Sequence, residues 1–113
     1  MVLAAFASAL VVAALPSGVS GTVLIDPARP VCSIYQPCSA PDPNEVLAFW
    51  HGTRRVATAR TSIDGHFRIA LAPGLYRVTL PRRAAMTRLS PVQIRVPRGR
   101  FLRVTIRVDV GIR

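Results

Sequence analysis

Lysine is absent from these 113 residues, although fifteen of them are basic, so every cationic side chain is an arginine. That absence excludes the Lys–Asn isopeptide bonds that lock the sandwich domains of many surface adhesins. Acidic residues number only five, which leaves a formal charge of +10. Cysteine occurs twice and tryptophan once, too little thiol for a cysteine-built metal centre. No apolar run reaches the ~20 residues that a membrane-spanning helix needs. Beyond the N-terminal run, no stretch carries a sustained helical period.

What is present is a half-hydrophobic chain with 18% charged residues, which is not the composition of a disordered tail. Its length fits one domain. The excess of Arg, Ala, Val and Pro is the pattern that a GC-rich genome imposes without functional demand. The physical consequence stands either way: so basic a surface associates with polyanions, such as nucleic acid, anionic lipid or acidic wall polymers.

Residues 2–15 form an apolar run of small side chains broken only by Ser8. Fourteen helical residues span about 21 Å, short of the ~30 Å hydrocarbon core. The run therefore reads as the apolar region of an export signal. Val12-Ala13-Ala14 supplies a cleavage pattern, and Pro16, Ser17 and Gly18 break any helix. No basic residue precedes the run, so the positive charge comes from the α-amino group or from sequence upstream. The alternative is a buried helix of the domain itself. The expected organisation is an N-terminal export segment over residues 1–17 and a β-sandwich domain over 18–113, placed outside the cell or in its envelope, with the membrane met only during export.

From residue 19 onward, short alternating segments are separated by turn signals. Strands are predicted over residues 19–25, 45–51, 55–62, 66–71, 75–80, 91–96 and 101–110. Gly21 permits a bulge or a close backbone approach. Asp64-Gly65 is a strong hairpin signal. Phe67, Ile69 and Leu71 share one face; so do Tyr76, Val78 and Leu80; so do Val92, Ile94 and Val96; and so do Leu102, Val104, Ile106, Val108 and Val110. Period two with one wet face predicts antiparallel sheets covered on one side, packed in pairs. Residues 26–44 form a loop with five prolines, and residues 81–90 a connection without pattern.

Three motifs then carry a resemblance: Gly21-Thr22-Val23 in the first strand, Thr61-Ser62-Ile63-Asp64-Gly65-His66-Phe67 at a turn, and Leu71-Ala72-Pro73-Gly74-Leu75-Tyr76 at the next. Together these resemble the carboxypeptidase regulatory-like domains, over residues 18–110. The resemblance implies an all-β, seven-stranded antiparallel Greek-key sandwich of the prealbumin-like (transthyretin) type, preceded here by an N-terminal export helix. The two-cysteine loop and the ending Asp109-Val110-Gly111-Ile112-Arg113 are similar to small secreted bacterial proteins of this kind. Ser62 departs from the pattern, which has an acidic residue there, and so weakens any metal reading of the turn.

Cys32 and Cys38 lie in one short loop; in an exported chain such a pair reads as a disulfide. No catalytic, cofactor or metal constellation stands out. His51, His66, Tyr35 and Tyr76 supply an inventory of metal ligands without ligand spacing, and geometry, not inventory, defines a metal site. Trp50 shares a face with Val46 and Ala48; burial in the core is expected of so large a ring, with a sugar-stacking platform as the alternative. Arg68, Arg77, Arg95, Arg103 and Arg107 all fall opposite the apolar faces of their strands. These five are the candidate polyanion site, in one patch or split between two outer faces. The expectation is a non-enzymatic extracytoplasmic accessory or interaction domain without a cofactor. The alternative is a module that binds an anionic cell-envelope polymer or carbohydrate, with no specific nucleic acid as partner.

Overall fold

A computed structural model describes residues 16–26, 39–83 and 87–109. Nine strands follow in chain order: β1 (Gly18–Asp26), β2 (Ala40–Pro41), β3 (Val46–His51), β4 (Arg54–Arg60), β5 (His66–Ala70), β6 (Gly74–Thr79), β7 (Arg88–Ser90), β8 (Gln93–Val96) and β9 (Phe101–Asp109). They build two sheets. In the first, β1 pairs antiparallel with β5 along its first half and with β2 near its end. The other side of β1 pairs with β9, whose far side carries β7. The second sheet runs β4-β3-β6-β8, antiparallel throughout.

The two inner faces meet in one core. Val19 and Val23 come from β1, Ile106 and Val108 from β9, and Phe67 from β5; Leu47, Phe49, Tyr76, Val78, Ile94 and Val96 face them from the second sheet. Phe49 and Phe67 touch across the sandwich with ring centroids 6.4 Å apart. Each large apolar side chain removed from water here contributes about 1.5–3 kcal/mol. Alternation places these residues, because period two turns every second side chain inward.

The all-β sandwich with seven principal strands is present, with β2 and β7 as short additions. Three expectations are corrected. First, β1 and β9 run parallel, in register from Gly18↔Phe101 to Asp26↔Asp109. An alternating pattern reads the same whether its neighbour runs up or down, so it cannot encode this. Second, Asp64-Gly65 is not a hairpin, because β4 and β5 belong to different sheets. The turn is tight, with Gly65 at φ 78°, but it carries the chain across the sandwich. Ser62 serves the turn with its hydroxyl, which accepts from the backbone N–H groups of Asp64 and His66. Third, Val92 is half-exposed, because β8 begins only at Gln93.

Gly21 confirms a close approach. A Cβ at this position would overlap the carbonyl oxygen of Val104 on β9. The N-terminal edge of the fold is also tied in: the Ser17 hydroxyl donates to the Leu71 carbonyl at 2.6 Å, and the Leu71 amide donates to Ser17 at 3.1 Å. Residues 1–15 of the expected 1–17 export segment, and Cys32 with Cys38, lie outside the described residues.

Candidate anion-binding site

The parallel pairing of β1 with β9 decides which polar side chains share the outer face of the first sheet. Ser20 on β1 is in register with Arg68 on β5 and with Arg103 on β9. One step along, Thr22 is in register with His66 and Thr105. Neighbouring strands lie about 4.8 Å apart, so the two arginine backbones stand about 10 Å apart. Short hydroxyl side chains between longer basic ones leave a groove of about 560 Å³. Its floor is Ser20 and Thr22, with His66 and Arg68 on one wall and Arg103 and Thr105 on the other.

The Arg68 guanidinium is stacked on an aromatic ring: it sits 3.6 Å from the centroid of Phe101, a favourable cation–π arrangement. Both groove arginines are exposed. The register rows from Gly18 to Thr22 hold no acidic residue. The groove thus presents two guanidinium groups and three hydroxyls, the donor set that takes carboxylate, sulfate or phosphate oxygens.

The five candidate arginines do not form one patch. Arg107 shares this outer face but lies further along, in register with Leu24 and Ser90, and donates to the Ser39 hydroxyl at 3.3 Å. Arg77 and Arg95 stand on the second sheet, facing away. Arg95 also borders a hollow with Arg98 and Arg100 at the pole beside Pro73 and Gly74. Reading strands one at a time separates inside from outside but does not say which sheet a strand joins. For the same reason Ser20, Thr22, His66 and Thr105 were not legible as groove residues.

Trp50 corrects the expectation of core burial. It is half-buried on the outer face of the second sheet, and its indole N–H donates to the Thr79 hydroxyl at 2.8 Å. A register shift between Phe49 and Trp50 accompanies this placement.

A second charged cluster lies inside the fold. Asp42 and Glu45 are almost fully buried, 3% and 5% exposed. Both are held by Arg83, whose Nε meets Glu45 at 2.8 Å and whose Nη2 meets Asp42 at 3.3 Å. Thr61 joins the group by accepting from the Glu45 amide and donating to the Asp42 carbonyl. Burial, with the hydrogen bond and negative charge of Glu45 added, pushes the Asp42 carboxyl up to about 7, against the opposing pull of Arg83. One guanidinium therefore clamps the segment after β6 onto the segment before β3. The acids are sealed from solvent, so their arrangement serves packing.

His51 and Tyr76 lie with ring centroids 5.8 Å apart, and the Tyr76 hydroxyl donates to the Ala72 carbonyl at 2.6 Å. Among the described residues, no group of three or more His, Cys, Asp or Glu side chains is placed to hold a metal. Among the same residues, no helix is long and apolar enough to cross a membrane.

No protein-family model matches the chain, and no curated protein matches it. Among solved structures it is similar to GBS52, a minor pilin of Streptococcus agalactiae, at 12% identity with a TM-score of 0.58. The similarity covers 85% of this chain and 45% of the pilin, so the chain spans less than half of that protein's length. At this identity the shared property is the β-sandwich fold.

Proposed function

We propose that this chain is an exported, non-enzymatic accessory domain that holds an anionic polymer of the cell envelope in the groove between Arg68 and Arg103. The observation that carries the proposal is the register row Arg68–Ser20–Arg103, two cations separated by a small hydroxyl on a face free of acid at that point. Export rests on the apolar run of residues 2–15 and on the composition of the loop that holds Cys32 and Cys38. The pilin similarity supports a surface role only as far as a shared sandwich does.

The test is binding to heparin, duplex DNA and an anionic wall polymer across about 50–200 mM salt, where counterion release makes affinity fall steeply. Arg68→Gln with Arg103→Gln lowers the slope of log affinity against log salt by about 2, one for each lost contact. Arg54→Gln with Arg82→Gln, a pair outside the groove, serves as the control. Equal losses from both pairs mean that binding is generic charge and that the groove is not a site.

A further inference from the structure

The face opposite the groove carries a different arrangement. Across the second sheet, Trp50 on β3 is in register with Arg55 on β4 and Arg77 on β6, and Arg77 with Gln93 on β8. The row reads Arg55–Trp50–Arg77–Gln93, one residue from each strand. The four strands contain no Asp or Glu. The Arg77 guanidinium lies 5.1 Å from the centre of the indole ring. Directly opposed side chains have Cβ atoms about 5 Å apart, so Arg55 starts beside the ring on the strand opposite Arg77, where the register shifts between Phe49 and Trp50. The indole is fixed by its bond to Thr79, and Leu75, 43% exposed, extends the apolar surface on the Arg77 strand.

The geometry points to a binding site for an acidic sugar, a pyranose ring bearing a carboxylate, on the row Arg55–Trp50–Arg77–Gln93. A sugar ring has an apolar C–H face and a polar rim. Trp50 offers the matching flat apolar surface, with its N–H already satisfied and its orientation settled before a ligand arrives, which lowers the ordering cost of binding. Arg55 and Arg77 offer planar donor forks for the carboxylate. Gln93 offers both a donor and an acceptor to ring hydroxyls. A simple polyanion would use the arginines and leave the indole idle, whereas a neutral sugar would leave two guanidinium groups without partners. The uronate uses every group in the row. This site is independent of the groove and stands or falls separately from it.

The chain has a single tryptophan, so its fluorescence reports on this row alone. The probe is tetragalacturonate, compared with maltotetraose and with tripolyphosphate. The expected result is a saturable change in Trp50 emission with tetragalacturonate, and a response at least about tenfold weaker in affinity with either control, the scale of one lost charge-assisted bond. Arg55→Gln and Arg77→Gln each weaken tetragalacturonate binding by about tenfold on the same reasoning. The Arg68→Gln, Arg103→Gln variant binds it as the parent does. Calorimetry on Trp50→Ala, after circular dichroism shows its sheets intact, gives no heat of binding. If that variant does not fold, the two single arginine variants decide. An emission change of equal affinity with tripolyphosphate or maltotetraose overturns the assignment. So does the absence of any saturable change, or an equal loss in the groove variant.

Discussion

Arg68 and Arg103 stand on either side of Ser20, each in register with it, although one lies on an antiparallel neighbour of β1 and the other on a parallel one. The small hydroxyl between them makes the gap a groove. Filling it without altering charge isolates the effect of shape. Ser20→Tyr introduces a bulky residue that suits a strand and leaves the net charge at +10. Salt-dependent binding of heparin is expected to fall to the level of the Arg68→Gln, Arg103→Gln variant, with an unchanged unfolding midpoint. Retained binding would show that the arginines act as loose surface charge.

The close approach of Gly21 to Val104 predicts an intolerance. Gly21→Ala forces β1 away from β9 at the centre of the first sheet. The expected cost is about 1–3 kcal/mol, the range for overpacking a tight interior. It is read as a lower urea midpoint at unchanged slope.

The buried pair Asp42 and Glu45, clamped by Arg83, makes stability depend on pH. The Asp42 carboxyl is raised from 3.8 to about 7 in the fold. Between those values the folded chain holds a proton that the unfolded chain has released. Stability from this group is therefore complete below about pH 4 and declines as pH rises, being lost by the time pH passes 7. Asp42→Asn keeps a neutral partner for Glu45 and is expected to flatten the decline between pH 4 and 7 in urea melts. Arg83→Gln leaves both acids without a cation and should cost about 3 kcal/mol at pH 8. That is the lower end for breaking a buried pair, because the Arg83 side chain is 30% exposed.

Much of this fold was legible because burial follows alternation. Phe67 and Ile69, Tyr76 and Val78, and Ile106 and Val108 all point inward as period two requires. The Gly21 contact was legible because a glycine within an apolar strand has few other uses. Pairing was not legible. Asp64-Gly65 has the chemistry of a hairpin turn yet joins strands of different sheets, since the residues after it decide where the chain goes. The row Arg68–Ser20–Arg103 draws on three strands from widely separated parts of the chain, and its partners follow from topology that composition does not encode. The Asp42–Glu45–Arg83 clamp was missed for the same reason. Asp42 sits in a proline-rich loop and Glu45 at the first position of a predicted strand, places where charges are ordinarily solvated, and the cation lies in a connection without pattern. The side of Trp50 was ambiguous because Val46 and Ala48 make its outward face look apolar.

The export reading and the tie between Ser17 and Leu71 together confine processing. Cleavage after the Val12-Ala13-Ala14 pattern would make Leu15 the first mature residue and keep Ser17 with its two hydrogen bonds. N-terminal sequencing of protein from an exporting host is expected to begin between Leu15 and Ser17. A start at Val19 removes Ser17 and would be matched by a measurable loss of stability. An uncleaved residue 2–14 segment in cytoplasmic protein contradicts export.

Cys32 and Cys38 belong to the segment between β1 and β2, which the ladder Leu24↔Pro41 and the Asp42 amide bonded to Val23 close at its base. Protein from an oxidising compartment should show no free thiol on labelling without reductant. The double change Cys32→Ser, Cys38→Ser should fold, with at most about 2 kcal/mol lost from loop closure. Failure to fold would mean that the loop supports the core.

The central claim is that an anionic polymer lies in the groove over Ser20 and Thr22. Amide chemical-shift mapping during titration with a short inorganic polyphosphate at about 150 mM salt, where the Debye length is about 8 Å, tests it most directly. The account predicts that the largest shifts cluster at Ser20, Thr22, His66, Arg68, Arg103 and Thr105, and that they saturate together with one affinity. Shifts spread over every arginine-bearing strand, including β4 and β8, without saturation would contradict it.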